Sequence, residues 1–251
     1  MSRFAQRLLR GPLRLDAAMG TALIARGFVP SQSTASALNL SRPEWVREVH
    51  AGHVSAGAEL LLTNTFGAAA PRGDELRAGL ALAHGAAREH TLVALSLFAG
   101  LAPGEIERCV REAAASPHPP DVIWLETAIS EASAREALAA AGRALPVAVT
   151  LSFTVLAADW RAVLRALERE GASLVGLNCS PWPHEPQGLA ELARSLREAV
   201  QVPLALKPDA GALAPGPWAD RLAAAAQIAP LSIGGCCGTT HAHLSHLRAA
   251  L

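Results

Sequence analysis

Short apolar runs alternate with longer amphipathic stretches from one end of the chain to the other. A short apolar run bounded by turn residues reads as a buried strand, and apolar residues spaced three and four apart read as a helix packed on one face. The pattern predicts eight strands: Leu13 to Asp16, Glu59 to Thr63, Leu92 to Phe98, Asp121 to Glu126, Pro146 to Ser152, Ser173 to Asn178, Pro203 to Lys207 and Pro230 to Gly234. Helices are predicted over 41–58, 74–90, 104–115, 131–142, 158–171, 187–200, 218–227 and 239–251. Ser41 with Pro43 and Glu44 reads as the N-cap and first turn of the first helix. Gly57, Gly142 and Gly171 read as left-handed C-terminal caps. Eight strands, each followed by a helix, in 251 residues predict an α/β fold. The expected architecture is a (β/α)8 TIM barrel forming one domain over residues 1–251. An open doubly wound sheet is the alternative, because alternation alone does not show closure.

Composition narrows the function class. Lysine plus arginine balance aspartate plus glutamate at 22 each, so no basic excess invites nucleic acid. No apolar run approaches the roughly 20 residues of a membrane span. Small-molecule substrates are the expected partners. The opening stretch carries Arg3, Arg7, Arg10 and Arg14 without a sustained apolar segment, which argues against a secretory signal and leaves a basic presequence open. The expected location is cytoplasmic. Four cysteines are too few for a disulfide scaffold in a chain this long, so clustered thiols point to metal or catalysis.

In a barrel the reactive groups gather where all βα loops open, at the C-terminal ends of the strands. Asp16, Thr63, Asn64, Thr65, Glu126, Ser152, Asn178, Cys179, Lys207, Asp209, Cys236 and Cys237 all fall at or just past predicted strand ends. Cys179 therefore converges with Cys236 and Cys237 across one rim. Adjacent cysteines do not easily bridge to each other, but both can ligate one metal if the backbone bends at Gly234 and Gly235. Three thiolates suit zinc with a fourth position open to substrate. The residues alone leave zinc, core packing and a redox dithiol open.

At these positions the sequence resembles the homocysteine S-methyltransferase family, which includes the homocysteine-binding module of methionine synthase and the betaine and S-methylmethionine enzymes. The segments LDAAMGTAL (15–23), HVSAGAELLLTNTFGA (53–68), WLET (124–127), GLNCS (176–180) and IGGCCGTT (233–240) resemble that family's successive motifs. The resemblance implies a (β/α)8 barrel in which Cys179, Cys236 and Cys237 hold zinc and homocysteine sulfur takes the fourth position. It implies that Glu126 receives the substrate ammonium and acts with the cysteines as the catalytic set. Asp16 and the backbone around Ala18 and Met19 would bind the amino-acid end, with Thr63 and Thr65 as weaker candidates and Asn178 orienting the zinc site.

The sequence departs from the family at Ala17, where glycine is usual, at His241, where proline is common, and in the short LFAGLAPGE connection. These changes bear on the methyl donor. A sulfonium such as S-methylmethionine or S-adenosylmethionine suits an aromatic cage, for which Phe66, Phe98, Phe153 and Trp182 are candidates, although all four also read as ordinary packing. Delivery from a corrinoid would need a separate corrinoid protein. Two rivals remain: a lyase forming a Schiff base at Lys207, the chain's one lysine, and a non-catalytic zinc or redox protein. His241, His243 and His246 read as a partly exposed face of the last helix, and Cys109 as a buried small hydrophobe.

Overall fold

The computed structural model describes residues 1–152, 159–179 and 186–251. Seven strands form one parallel sheet in sequential order: β1 (Leu60–Leu62), β2 (Leu92–Phe98), β3 (Val122–Ala128), β4 (Val147–Ser152), β5 (Leu174–Asn178), β6 (Leu204–Lys207) and β7 (Leu231–Ile233). Each is followed by a helix, the first six of which return the chain to the next strand: α5 (Gly73–Ala86), α6 (Pro103–Ala114), α7 (Glu131–Ala141), α8 (Trp160–Arg169), α9 (Pro186–Ala199), α10 (Pro215–Ile228) and α11 (His241–Ala250). The helix α4 (Pro43–Ser55) leads into β1. This is the TIM-barrel-like alternation that the hydrophobic pattern predicts. Three short helices escape that pattern, namely α1 (Arg3–Leu8), α2 (Met19–Ile24) and α3 (Leu38–Ser41), because pieces of four to six residues show too little periodicity.

The predicted first strand, Leu13 to Asp16, appears as two isolated parallel bridges, Arg14 to Ile233 on one side and Leu15 to Leu60 on the other. Leu15 N–H donates to the Ile233 carbonyl at 2.7 Å, and Glu59 N–H donates to the Arg14 carbonyl at 2.8 Å. Around these bonds, side chains take the place of a regular ladder. Leu62 N–H donates to Asp16 Oδ2, Leu13 N–H to Ser232 Oγ and Arg14 N–H to Glu59 Oε2. The segment thus lies between β7 and β1 without extending as a strand.

Alternation along the strands divides the apolar residues between two faces. Val93, Leu95, Leu97, Ile123, Val149 and Val175 pack outward against Leu76, Leu80, Ile106 and Leu164 of the helices. The inward set, including Leu13, Leu15, Leu60, Leu92, Val122, Trp124, Ala148 and Ala205, forms a second cluster inside the curl of the sheet. Trp124 packs in this cluster with the small Ala148 and Ala205, and a Cβ on Gly176 would run into the Ala205 carbonyl. Phe4 of α1 joins this cluster fully buried, which is worth about 1.5–3 kcal/mol. Ion pairs from Arg3 to Asp121 and from Arg7 to Glu59 hold α1 there.

Two local expectations change. Ser41 ends α3, where its hydroxyl donates to the Ala37 carbonyl, and Arg42 is the N-cap of α4 without a side-chain cap. His243 is buried and stacks edge-on against Trp218 at 5.3 Å, leaving His241 and His246 exposed on α11. The glycine stops at Gly57, Gly142 and Gly171 do have positive φ, at 105°, 67° and 91°. Cys109 is fully buried in α6.

Candidate functional site

Parallel pairing brings the chemical residues to one level. Phe98 lies beside Glu126, Ser152 beside Asn178, and Asn178 beside Lys207 in register. Glu126, Asn178 and Lys207 open on a cavity of about 400 Å³ lined also by Asp16, Ala18, Met19, Thr63, Asn64, Phe66 and all three rim cysteines. Of the other sequence-predicted residues, Ser152 and Asp209 lie outside that lining, and Thr65 lies in the scaffold behind it.

Cys179 Sγ lies 3.5 Å from Cys237 Sγ, and all four cysteines are free thiols. The three rim sulfurs and a carboxylate oxygen of Asp209 lie within 4.8 Å of one another. Tetrahedral zinc with bonds of about 2.3 Å to sulfur separates its ligands by about 3.8 Å, so the cluster has the right size. Asp209 Oδ1 is buried without a hydrogen-bond partner among the described residues. Burial and the nearby Cys236 push Asp209 up to about 6. Hydrogen bonds from Cys179 and Cys236 hold Cys237 below the ordinary thiol range, and the same sharing pushes Cys179 up. The donor set fits a thiophilic metal.

The backbone delivers these thiols by close approach. Cys179 directly follows β5 with φ at 48°, in the left-handed region that non-glycine residues rarely adopt. Neither Gly234 nor Gly235 has a positive φ, so the expected bend at these glycines is replaced by contact. A Cβ on Gly234 would lie 2.6 Å from the Asp16 carbonyl and 2.7 Å from Leu15 Cβ. Gly235 N–H donates to Asp16 O, Ala18 N–H to Thr239 Oγ1, and Gly238 N–H to Thr21 Oγ1. The segments around Asp16 and Cys236 are thereby fastened together.

Glu126, near the end of β3, lines the same cavity. Ser96 Oγ donates to its Oε1. Burial pushes its carboxyl up to about 7, although the Lys207 ammonium pulls it down. Behind Ser96, Thr65 Oγ1 donates to the Ser96 carbonyl and Thr63 Oγ1 accepts from Ser96 N–H, with the two threonine hydroxyls 2.6 Å apart. Thr63 and Thr65 thus act as scaffold for Ser96. Asn178 is occupied similarly: its Nδ2 donates to Thr127 Oγ1 and its Oδ1 accepts from Thr127 N–H. Thr127 has φ of 59°, and Asn178 holds this strained residue immediately after Glu126. Asp16 accepts from Lys207 Nζ at 2.8 Å through Oδ1 and from Leu62 N–H through Oδ2.

Sequence reasoning placed Asp209 at the rim without a role, and missed Ser96. The available signal for Ser96 was its position, a lone hydroxyl in the apolar run LVALSLF on the inward parity of Ala94. Phe66 and Phe98 meet edge-to-face at 5.7 Å beside the cavity. Phe153 and Trp182, the other two cage candidates, lie outside the described residues.

A family model for homocysteine S-methyltransferase matches residues 13–251. The chain belongs to the homocysteine S-methyltransferase family. Methionine synthases of Mycobacterium tuberculosis and Mycobacterium leprae are each 28% identical to it, over 98% and 100% of this chain respectively. The chain spans about a quarter of the length of these curated relatives, 25% in each case. Among solved structures, the metallated form of the Escherichia coli homocysteine methyltransferase MmuM matches with a TM-score of 0.77 at 23% identity, covering 98% of this chain and 99% of that one. The carboxyl transferase domain of Rhizobium etli pyruvate carboxylase matches at 0.61 and 15%, covering 94% and 42%. At such identities the structural likeness shows the fold.

Proposed function

We propose that the chain transfers a methyl group to the sulfur of homocysteine, giving methionine, and that it does so as a single closed (β/α)8 barrel in the cytoplasm. The bridges from Leu13–Asp16 to both β7 and β1 support closure. The observation that carries the activity is the meeting of Cys179, Cys236 and Cys237 in the wall of a cavity that also holds Glu126. Those three cysteines would hold zinc, with Asp209 within reach. Zinc bound there supplies the positive charge that deprotonates a thiol whose free pKa is about 8.5.

The chain's residues do the positioning. Glu126, fixed by Ser96 and by the Asn178–Thr127 pair, receives the substrate ammonium. Ala18 and Met19 line the same cavity. Asp16 braces the cavity wall through its bonds to Lys207 and Leu62. The substrate sulfur attacks the methyl carbon, the carbon–sulfur bond of a sulfonium donor breaks, and its electron pair leaves on a neutral thioether. The thiol proton passes to solvent. Alignment of sulfur and methyl carbon is the main task left to the protein. Phe66, exposed at the cavity beside Phe98, offers a ring face to a sulfonium such as S-methylmethionine or S-adenosylmethionine.

A second reading, methyl delivery by a separate corrinoid protein, draws on the likeness to methionine synthases about four times as long. The lyase reading is disfavoured because Lys207, although burial pulls its pKa down, is held above its usual value by Asp16 and Glu126. A protonated amine does not add to a carbonyl. A purely structural zinc site would be closed, whereas this cluster borders an open cavity. Zinc-loaded protein incubated with homocysteine and S-methylmethionine, S-adenosylmethionine or a methylated corrinoid protein should form methionine with a sulfonium. Methionine only with the corrinoid protein selects the second reading, and none with any donor overturns both.

A further inference from the structure

Lys207 is the chain's one lysine, and it is among the residues lining the cavity, at the end of β6 with 3% of the residue exposed. Among the described residues Asp16 is its one hydrogen-bond partner, through a 2.8 Å contact spanning 191 positions. An ammonium has three N–H donors, so two remain for whatever enters. A buried cation with unused donors is costly unless an anion completes its shell. Asp16 supplies part of that shell, while its second oxygen accepts from Leu62 N–H.

The cavity also sorts charge. Of the two acidic residues lining the cavity, Glu126, held by Ser96, has no cationic hydrogen-bond partner among the described residues, and the thiols of Cys179, Cys236 and Cys237 mark where sulfur belongs. An α-amino acid bearing a thiol presents three groups: an ammonium, a carboxylate and sulfur. Resting on the homocysteine reading above, we propose that Lys207 is the specificity-determining residue that receives the substrate's α-carboxylate, bridging it to Asp16, while Glu126 receives the ammonium. Asp16 then serves as the orienting partner of Lys207. Charge-assisted hydrogen bonds of this kind in a site shielded from water are the strong ones.

The test uses zinc-loaded protein and calorimetric binding, with methionine and 3-(methylthio)propylamine as a pair differing by the carboxylate alone. Wild type should prefer methionine. Lys207→Met should weaken methionine about 10- to 100-fold, while 3-(methylthio)propylamine changes by less than about threefold. Because Lys207→Met leaves Asp16 buried without its cation, the charge-neutral double variant Asp16→Asn, Lys207→Met is measured alongside and should lose the same preference. A purely structural lysine would weaken both ligands together, and an unchanged ratio in folded variants overturns the proposal. Homocysteine binding to the wild type distinguishes the two levels. If homocysteine binds and the ratio does not move, the role of Lys207 fails alone, whereas no binding of homocysteine or methionine to wild type ends the homocysteine reading as well.

Discussion

Cys179 Sγ and Cys237 Sγ lie 3.5 Å apart although 58 positions separate them in the chain. The left-handed turn at Cys179 and the contact of Gly234 with the Asp16 carbonyl bring them together from two strand ends. Replacing Cys237 with serine should weaken zinc binding by more than about 100-fold, since loss of a ligand exceeds the 10- to 100-fold cost of losing an outer partner. Competition with a chromophoric chelator measures this. Retained stoichiometric zinc at wild-type affinity would exclude Cys237 as a ligand.

Gly234→Ala puts a methyl group against backbone and Leu15 Cβ, neither of which can swing away. Overpacking of that kind costs about 1–3 kcal/mol. In a chain of this size the loss should appear as a fall in Tm of about 2–12 °C. An unchanged melting curve would show that the junction between residues 15–16 and 234 is looser than its distances indicate.

Asn178 holds Thr127 through two hydrogen bonds, Nδ2 to Thr127 Oγ1 and Thr127 N–H to Oδ1. Asn178→Ala should therefore leave zinc content near wild type while homocysteine binding weakens about tenfold, because the part-buried Thr127 N–H loses its acceptor and Glu126 its support. Metal analysis and calorimetry on the same preparation separate these effects. Loss of zinc with intact substrate affinity would reverse the assignment.

His50 and His53 of α4 are buried, and His50 has no partner at either ring nitrogen among the described residues. Burial lowers both to about 3; His53 and Asp16 face His50, while Lys207, His241 and Arg26 face His53. Their unfolded value is about 6.5, so below that pH the unfolded chain binds protons the folded chain refuses. Stability is thus complete above about pH 6.5 and falls toward pH 3, by about 1.4 kcal/mol per pH unit for each histidine. Glu126 and Asp209, both raised on folding, oppose this slope, so the comparison is made between variants. Urea titrations should show wild type losing about 1.4 kcal/mol per unit relative to His50→Leu between pH 6.5 and 5. Parallel pH profiles would mean that His50 titrates normally in the fold.

The alternation of apolar runs with amphipathic stretches was enough to locate seven sheet strands and the eight larger helices, because burial on one face or two leaves a periodic trace. Leu13–Asp16 shows where that logic stops. Its residues are apolar enough for a strand, yet Asp16, Glu59 and Ser232 side chains replace ladder bonds, and no periodicity reports such a substitution. Ser41 made a plausible cap by composition, but the preceding turn α3 had already taken it.

The sequence by itself determined that Glu126, Asn178, Lys207 and the rim cysteines share one end of the fold, because parallel strands joined by helices can only place their ends together. Tertiary structure decided how those residues divide the work. Lys207 is paired with Asp16, Asn178 with Thr127, and Asp209 joins the sulfurs. Such choices depend on inter-strand register and on which donors remain unspent after the backbone has formed its bonds. Both are fixed by packing among segments distant in the chain, so spacing along the chain carries no record of them.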